Sequence, residues 1–439
     1  MSEVVFQGAT ILTIDPDHRV LAGDVAAVDG ELVQVGGSYT PATRDYEVLD
    51  CRGCIVMPGL VQAHVQSYQT LARGRADDLE RLDALRDVIG PYEAALGEDA
   101  AGAAAELAYA ELLLGGTTAV LDAGPVRHTD AVFAAAAQSG IRATIGKGLM
   151  DAEDAPIPPK LREPAAAALD ASARLIARWH GAADGRLRYA YAPLAAWACT
   201  DELLREVGSE ARARGVRIHT QAAEGRAELE LVRGRFGAEA IAALDRLGLL
   251  GEHCCVAHAT LASDAERRLL AARRAHVCHC PSADLKLGAG IAPLPELIAA
   301  GVSVALGAGG APWSNRLDGF AELRLAALLH RHRAGVRALP APEAVRIATL
   351  GGAAALGLAD RIGSLEVSKR ADVIAVDLSA LHGAPGASPW SAIAYAAQPS
   401  DVRHVVVDGR IVVRDRRLHT LDVARVRDRA KRAAAKLFG

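Results

Sequence analysis

Short apolar runs alternate with longer stretches of helical period through most of the chain. The runs are "CIVMPGLVQAH" (54–64), "TTAVLDAG" (117–124), "RATIGKGL" (142–149) and "LRYAYAP" (187–193), then "VRIHTQA" (216–222), "HCCVAHA" (253–259), "AHVCHCP" (275–281) and "VSVALGA" (302–308). Each is short enough for a buried strand, and stretches such as "AAGAAAELAYAELLLGG" (100–116) between them are apolar at helical spacing and closed by glycine. Eight strands with intervening helices predict an α/β fold, a (β/α)8 barrel whose chemistry sits at the C-terminal ends of the strands. The two ends of the chain read differently. Residues 1–53 alternate in strand fashion around turns at "DPDH" and "VDGE", and 364–420 do the same around an Asp-Gly turn. Neither end can bury a core alone, so residues 1–57 and 364–420 are expected to combine into one small β-sandwich beside a barrel over 58–363. Residues 421–439 form an amphipathic, basic helix, expected to pack on the barrel with one face solvated rather than to lie on a membrane.

Composition narrows the function classes. Of 439 residues, 51% are hydrophobic and only 4% aromatic, so the core is aliphatic. The net charge is −4 with the charges dispersed, which argues against a nucleic-acid partner. The first residues have no basic segment leading into an apolar core, and no stretch offers the roughly 18 apolar residues of a membrane span. Seven irregularly spaced cysteines suit a reducing compartment better than a disulfide framework. A cytoplasmic enzyme for a small-molecule substrate is expected, assembled as a homodimer or larger homo-oligomer.

Polar residues gather at the predicted catalytic face: His64, Gln66 and Gln69 after the first strand, Lys147 on the third, His219, Gln221 and Glu224 after the fifth, His258 after the sixth and His279 at the seventh. The eighth is followed by "GAGGAPWSN", with no charge before Arg316. A lone histidine is usually structural, but four at barrel strand ends with a nearby glutamate indicate a site.

The segments "MPGLVQAHVQSYQTLARGRADDL", "GTTAVLDAG", "IHTQAAEGRAE", "VAHATL", "HCPSADLKLGAGIAPLPELIAAGVSVALGAGGAPWSNRLDGF" and "IGSLEVSKRADVIAVD" resemble the amidohydrolase superfamily. The branch they resemble most is the cytosine-deaminase-like group of aminohydrolases and chlorohydrolases. The resemblance implies the barrel, the composite sandwich and one catalytic zinc or iron. That metal is held by an HxH pair after the first strand, a histidine three residues before a catalytic glutamate on the fifth, and an aspartate after the eighth. Carried over one by one, the first histidine is His64, the second falls on Gln66, the fifth-strand ligand on Gln221, the glutamate on Glu224 and the aspartate on Gly309. The sixth-strand histidine is kept as His258. Amides are poor ligands for zinc or iron, so the expectation is a site that takes no metal.

Weaker constellations read as structural. "CRGC" (51–54) has no second pair, "CHC" (278–280) sets its sulfurs opposite His279, and Lys147 is expected in an ion pair. Trp313 is a candidate stacking wall for a flat ring, and Ala84 stands where relatives of this branch often carry a bulky aromatic. The resulting expectation is a hydrolase-like enzyme acting on C–N bonds of a small, cyclic or heteroaromatic nitrogen compound without a metal. Glu224 and His258 form its acid–base pair, with His64, Gln66, Gln69, His219, Gln221, His279 and Trp313 around the substrate. The alternatives are a lyase, cyclase or other ring-modifying enzyme of a specialised pathway, or a non-catalytic ligand-binding homologue.

Overall fold

Pro58 and Gly59 divide the first apolar run in two. In the computed structural model, which describes residues 2–42, 44–386 and 388–439, Cys54–Pro58 is a strand of one sheet and Leu60–Gln66 the opening strand of another. Gly59 is required at the crossing, since a Cβ there would fall 2.1 Å from Thr118 Oγ1. The single strand expected over 54–64 is thus corrected: one apolar run serves two sheets, and periodicity does not register the change of partner.

From Leu60–Gln66 the barrel proceeds through Thr117–Ala123, Arg142–Leu149, Leu187–Pro193, Arg217–Ala222, Cys254–His258, His276–His279 and Ser303–Leu306. All neighbouring pairs are parallel, and the last strand returns to the first where Leu306 pairs with Gln62. Gly309–Gly310 then runs beside Val65 and Gln66, bringing the chain after the eighth strand against the end of the first. Helices cover the outside, so the strands are buried on both faces and read as continuous apolar runs instead of alternating ones. Every residue of Leu60–Gln66, Arg142–Leu149 and Cys254–His258 is buried.

The ends of the chain make a second sheet with the order Arg417–Leu418, Arg410–Arg414, Val402–Val407, Val373–Asp377, Cys54–Pro58, Glu3–Leu12, Val20–Val28, Glu31–Val35, with Glu47–Asp50 also on Glu3–Leu12. The two ends meet where Cys54–Pro58 pairs antiparallel with Val373–Asp377. Val4, Phe6, Ile11, Val25, Leu32, Leu49, Val373 and Val406 form a separate apolar cluster of this sheet. The last helix, Val423–Phe438, starts at Asp422, whose carboxylate accepts from the N–H groups of Ala424 and Arg425. Arg429 reaches Asp99 and Glu106 on the helix Glu98–Leu114, and Phe438 stacks on Tyr92 at 5.7 Å. The helix is therefore packed on the barrel. All seven cysteines are free and buried, and among the described residues no helix is long and apolar enough to cross a membrane.

Barrel and second sheet are joined by buried charge. Arg142, at the start of the third barrel strand, donates to both carboxylate oxygens of Asp372 at 2.8 and 2.9 Å and to Asp408 at 2.9 Å. Arg370 adds a second donor to Asp408 at 2.7 Å. Burial disfavours the Asp408 carboxylate, but Arg370 and Arg142 outweigh it and hold its pKa below the usual value. Asp372→Ala should destabilise the fold by about 3–5 kcal/mol, because it leaves Arg142 buried with half its pairing gone; chemical denaturation measures this. A depressed Asp408 contributes stability above its unfolded pKa of about 3.9, lost as pH falls through the folded value. Asp408→Asn should accordingly flatten the loss of melting temperature on acidification below about pH 4.

Candidate active site

The C-terminal strand ends bring His64, Gln66, His219, Gln221, Glu224 and His258 around one chamber. His64 and His219 face each other, with His64 Nδ1 2.9 Å from His219 Nε2 and the rings perpendicular. The His258 ring stands 5.3 Å from that of His64. The strand ends turn sharply to achieve this: Ala223, His258 and Ala259 have φ of 54°, 72° and 51°. Left-handed backbone at non-glycine residues costs energy and clusters at functional sites.

The three imidazoles carry different charge. His64 is held well below the usual histidine pKa by burial, then by His219, His258 and Arg81. Burial, with His258 adding to it, brings His219 down to about 3. His258 runs the other way: burial opposes its charge, but Glu224 and Asp284 outweigh burial and raise it to about 10. Its Nδ1 is 2.7 Å from Asp284 Oδ1 and its Nε2 3.7 Å from Glu224 Oε1. Asp284 is held below the ordinary carboxylate value because His258 overcomes its burial. Glu228 accepts the backbone N–H of Glu224 at 2.6 Å, and its own carboxyl is pushed up to about 7 by burial and by Glu224.

Arg81, in the short helix Arg81–Ala84, closes the chamber from above. Its Nε donates to Glu224 Oε2 at 3.1 Å and lies 2.9 Å from Oε1, its Nη2 donates to Gln221 Oε1 at 2.9 Å, and its guanidinium lies 4.1 Å from the ring centre of Trp313. Gln66 Oε1 is buried with no partner among the described residues. His64, Gln66, His219 and Gln221 line a small cavity of about 20 Å³, room for one water-sized group. Arg81, Gln221 and Glu224 line a larger cavity of about 960 Å³ with Leu194, Trp197 and Leu231.

The remaining expected residues sit apart from both cavities or at their edges. Trp313 Nε1 donates to Gln69 Oε1 at 2.8 Å, and the Trp313 face is covered by Arg81. His279 lies behind Asp284, its Nδ1 3.7 Å from Oδ2. Lys147 pairs with Glu163 at 2.5 Å, and its pKa is lowered by burial against that pairing. Arg81, Asp284, Glu228 and Cys280 were not singled out in the sequence. Arg81 reads there as one more charge on a solvated helix, and Asp284 as part of an amphipathic turn. Cys280 was considered only with its chain neighbours. Its Sγ does lie beside Cys278, 4.0 Å away. Across the barrel it also joins His64 and His258, and the three ligand atoms lie within 4.8 Å of one another.

Comparison with known proteins agrees with this architecture. The amidohydrolase family profile matches residues 55–412. A 5-methylthioadenosine/S-adenosylhomocysteine deaminase of Syntrophobacter fumaroxidans is 39% identical over 98% of this chain and 97% of its own. A 5'-deoxyadenosine deaminase of Methanosarcina acetivorans is 35% identical over 100% and 99%. Among solved structures, an adenosine deaminase from Xanthomonas campestris with bound zinc superimposes with a TM-score of 0.92 at 33% identity, covering 99% of this chain and 98% of that one. Atrazine chlorohydrolase from Arthrobacter aurescens, complexed with zinc, gives 0.93 at 25% identity, covering 98% and 100%. The expectation of a site without a metal cofactor is thereby corrected. Both solved neighbours carry zinc, and His64, His258 and Cys280 form a candidate ligand set that a count of inherited ligand positions overlooks.

Proposed function

The chain belongs to the amidohydrolase family, and from that premise we propose that it is a hydrolytic deaminase of adenine nucleosides altered at the 5' position. The observation that carries this reading is 39% identity over 98% of the chain to a deaminase of such nucleosides, with the family's glutamate present as Glu224 at the floor of a nucleoside-sized cavity.

The donor chemistry of His64, His258 and Cys280, two imidazole nitrogens and a sulfur, would fit zinc, with His258 and Cys280 each giving up a proton to hold it. With its proton on Nδ1 donated to His219, His64 keeps the Nε2 lone pair for a ligand. Asp284 accepts from His258 Nδ1 and so turns Nε2 inward, the carboxylate–histidine pattern found behind metal ligands. When bound, zinc would supply the lowering of water's pKa from 15.7 to about 7 that hydrolysis of an aromatic C–N bond needs. Glu224 Oε1 takes the proton of the attacking water and returns it to the departing amine. Its place 3.7 Å from His258 Nε2 puts that transfer beside the ligands. The unpaired Gln66 Oε1 accepts a hydrogen bond from whatever donor enters the small cavity. The burial of the chamber excludes bulk water and strengthens each of these contacts.

Ammonia release from 5'-methylthioadenosine, S-adenosylhomocysteine, 5'-deoxyadenosine and adenosine tests the reading, with zinc, iron and manganese each supplied. Turnover of at least one is expected, and inertness toward all four with every metal would overturn it. Glu224→Gln and His258→Asn should each lower kcat at least about a hundredfold. The purified protein should take up about one zinc per chain, and Cys280→Ser should weaken that uptake about tenfold or more while leaving the melting curve in place. Gln66, Gln221 and Gly309 at the family's ligand positions favour a second reading, a ligand-binding homologue. In that case Glu224→Gln would bind nucleosides as the wild type does, and the wild type would release no ammonia.

A further inference from the structure

Glu228 reaches past its own helix. It is the third residue of Arg226–Phe236, a place from which a glutamate ordinarily turns back to the N–H of the residue before the helix, here Gly225. Its two oxygens go further instead, Oε1 accepting from the N–H of Ala223 at 3.2 Å and Oε2 from that of Glu224 at 2.6 Å. Among the described residues no other group accepts from either N–H. The carbonyls of the same turn are held by the next strand end: Ala222 accepts from Ala259 at 3.1 Å and Ala223 from Leu261 at 2.9 Å, just beyond His258.

Such a grip is costly to keep. Ala223 stands in left-handed backbone, with φ 54°, which an alanine adopts only under restraint. The Glu228 carboxylate is itself buried, and Glu224, a like charge, joins burial in opposing its ionisation. A serine or threonine before the helix would cap it without setting a second carboxylate beside the first. What the carboxylate supplies is two acceptors at once, on consecutive N–H groups of the segment that carries Glu224. With Arg81 on the Glu224 carboxylate and Glu228 on its backbone, both ends of the residue are fixed, and Oε1 stands 3.7 Å from His258 Nε2.

We propose that Glu228 is a positioning residue: by holding the N–H groups of Ala223 and Glu224, it keeps the turn after the fifth barrel strand in the conformation that sets the Glu224 carboxylate beside His258. It acts on the reaction through Glu224. The proposal rests on the deaminase reading above for the reaction that Glu224 serves, while the grip on the turn stands apart from it.

Turnover, calorimetric nucleoside affinity and zinc content of Glu228→Ala and Glu228→Gln, alone and combined with Glu224→Gln, test this. Glu228→Ala should lower kcat about ten- to a hundredfold, as displacement of a catalytic group by about an ångström does. Nucleoside affinity and zinc content should stay within about twofold of the wild type. Should the alanine variant not fold, Glu228→Gln, which keeps one acceptor oxygen, is expected to lose less turnover and to follow the same pattern. With Glu224→Gln in place, Glu228→Ala should change the residual kcat less than about twofold, since its effect passes through a carboxylate no longer there. The same loss in both backgrounds, as a general weakening of the structure would give, would overturn the proposal, and so would wild-type kcat in both Glu228 variants. Glu228 also lines the larger cavity, and a loss of affinity with kcat retained would make it a substrate contact instead. Hydrogen exchange reads the grip without turnover: the amides of Ala223 and Glu224 should exchange at least about tenfold faster in either Glu228 variant, while the fifth strand keeps its protection. Unchanged exchange at those amides would overturn the proposal whatever the enzyme does. Faster exchange with no ammonia from any nucleoside would leave the grip standing and overturn the deaminase reading alone.

Discussion

Closure of eight parallel strands is the constraint on which the rest depends. Because Leu306 returns to Gln62, strand ends far apart in sequence converge on one opening. His64, His219 and His258 lie in three different strands, yet their rings are 4.9 and 5.3 Å apart about His64. No local segment could hold them so close, since three buried imidazoles repel one another whenever more than one is charged. The barrel fixes the positions, and the chemistry follows from which groups are left to balance each other.

That balance is struck pair by pair. In a low-dielectric interior an unpaired charge is costly, and the ions of the chamber are found with counterions. His258 stands between Asp284 and Glu224, and Glu224 is shared with Arg81. Where no partner is at hand, the group goes neutral: His64 and His219 lose their protons, and Glu228 is pushed up to about 7. The Arg142–Asp372–Asp408 joint repeats the rule far from the chamber. Its geometry is bidentate, which holds the second sheet at one angle to the barrel.

The barrel was legible in the sequence because strands buried on both faces leave continuous apolar runs, and the second to eighth were placed within a few residues. The change of sheet at Gly59 was not, because apolar character does not name a strand's partner. Within the chamber, His64, Gln66, His219, Gln221, Glu224 and His258 were found from their place at strand ends. Arg81, Asp284 and Cys280 were missed for one reason. Their importance lies in what they reach across space, and a run such as "LERLDALRD" looks like any solvated helix until the loop folds over the opening. A metal is not expected from the sequence because Gln66, Gln221 and Gly309 stand at the family's ligand positions, and Cys280 is read there only beside Cys278 and His279.

The pairing of Cys54–Pro58 with Val373–Asp377 has a temporal consequence. A ribosome must translate more than three hundred residues after the first of these strands before the second exists. Until then the N-terminal sheet exposes an unsatisfied edge, and strands with free edges seek other chains. The barrel strands that emerge meanwhile can pair in order, but Arg142 waits 230 residues for Asp372 and 266 for Asp408. Synthesis therefore ends, rather than begins, with the step that seals the molecule, and the nascent chain is most vulnerable to aggregation for most of its time on the ribosome.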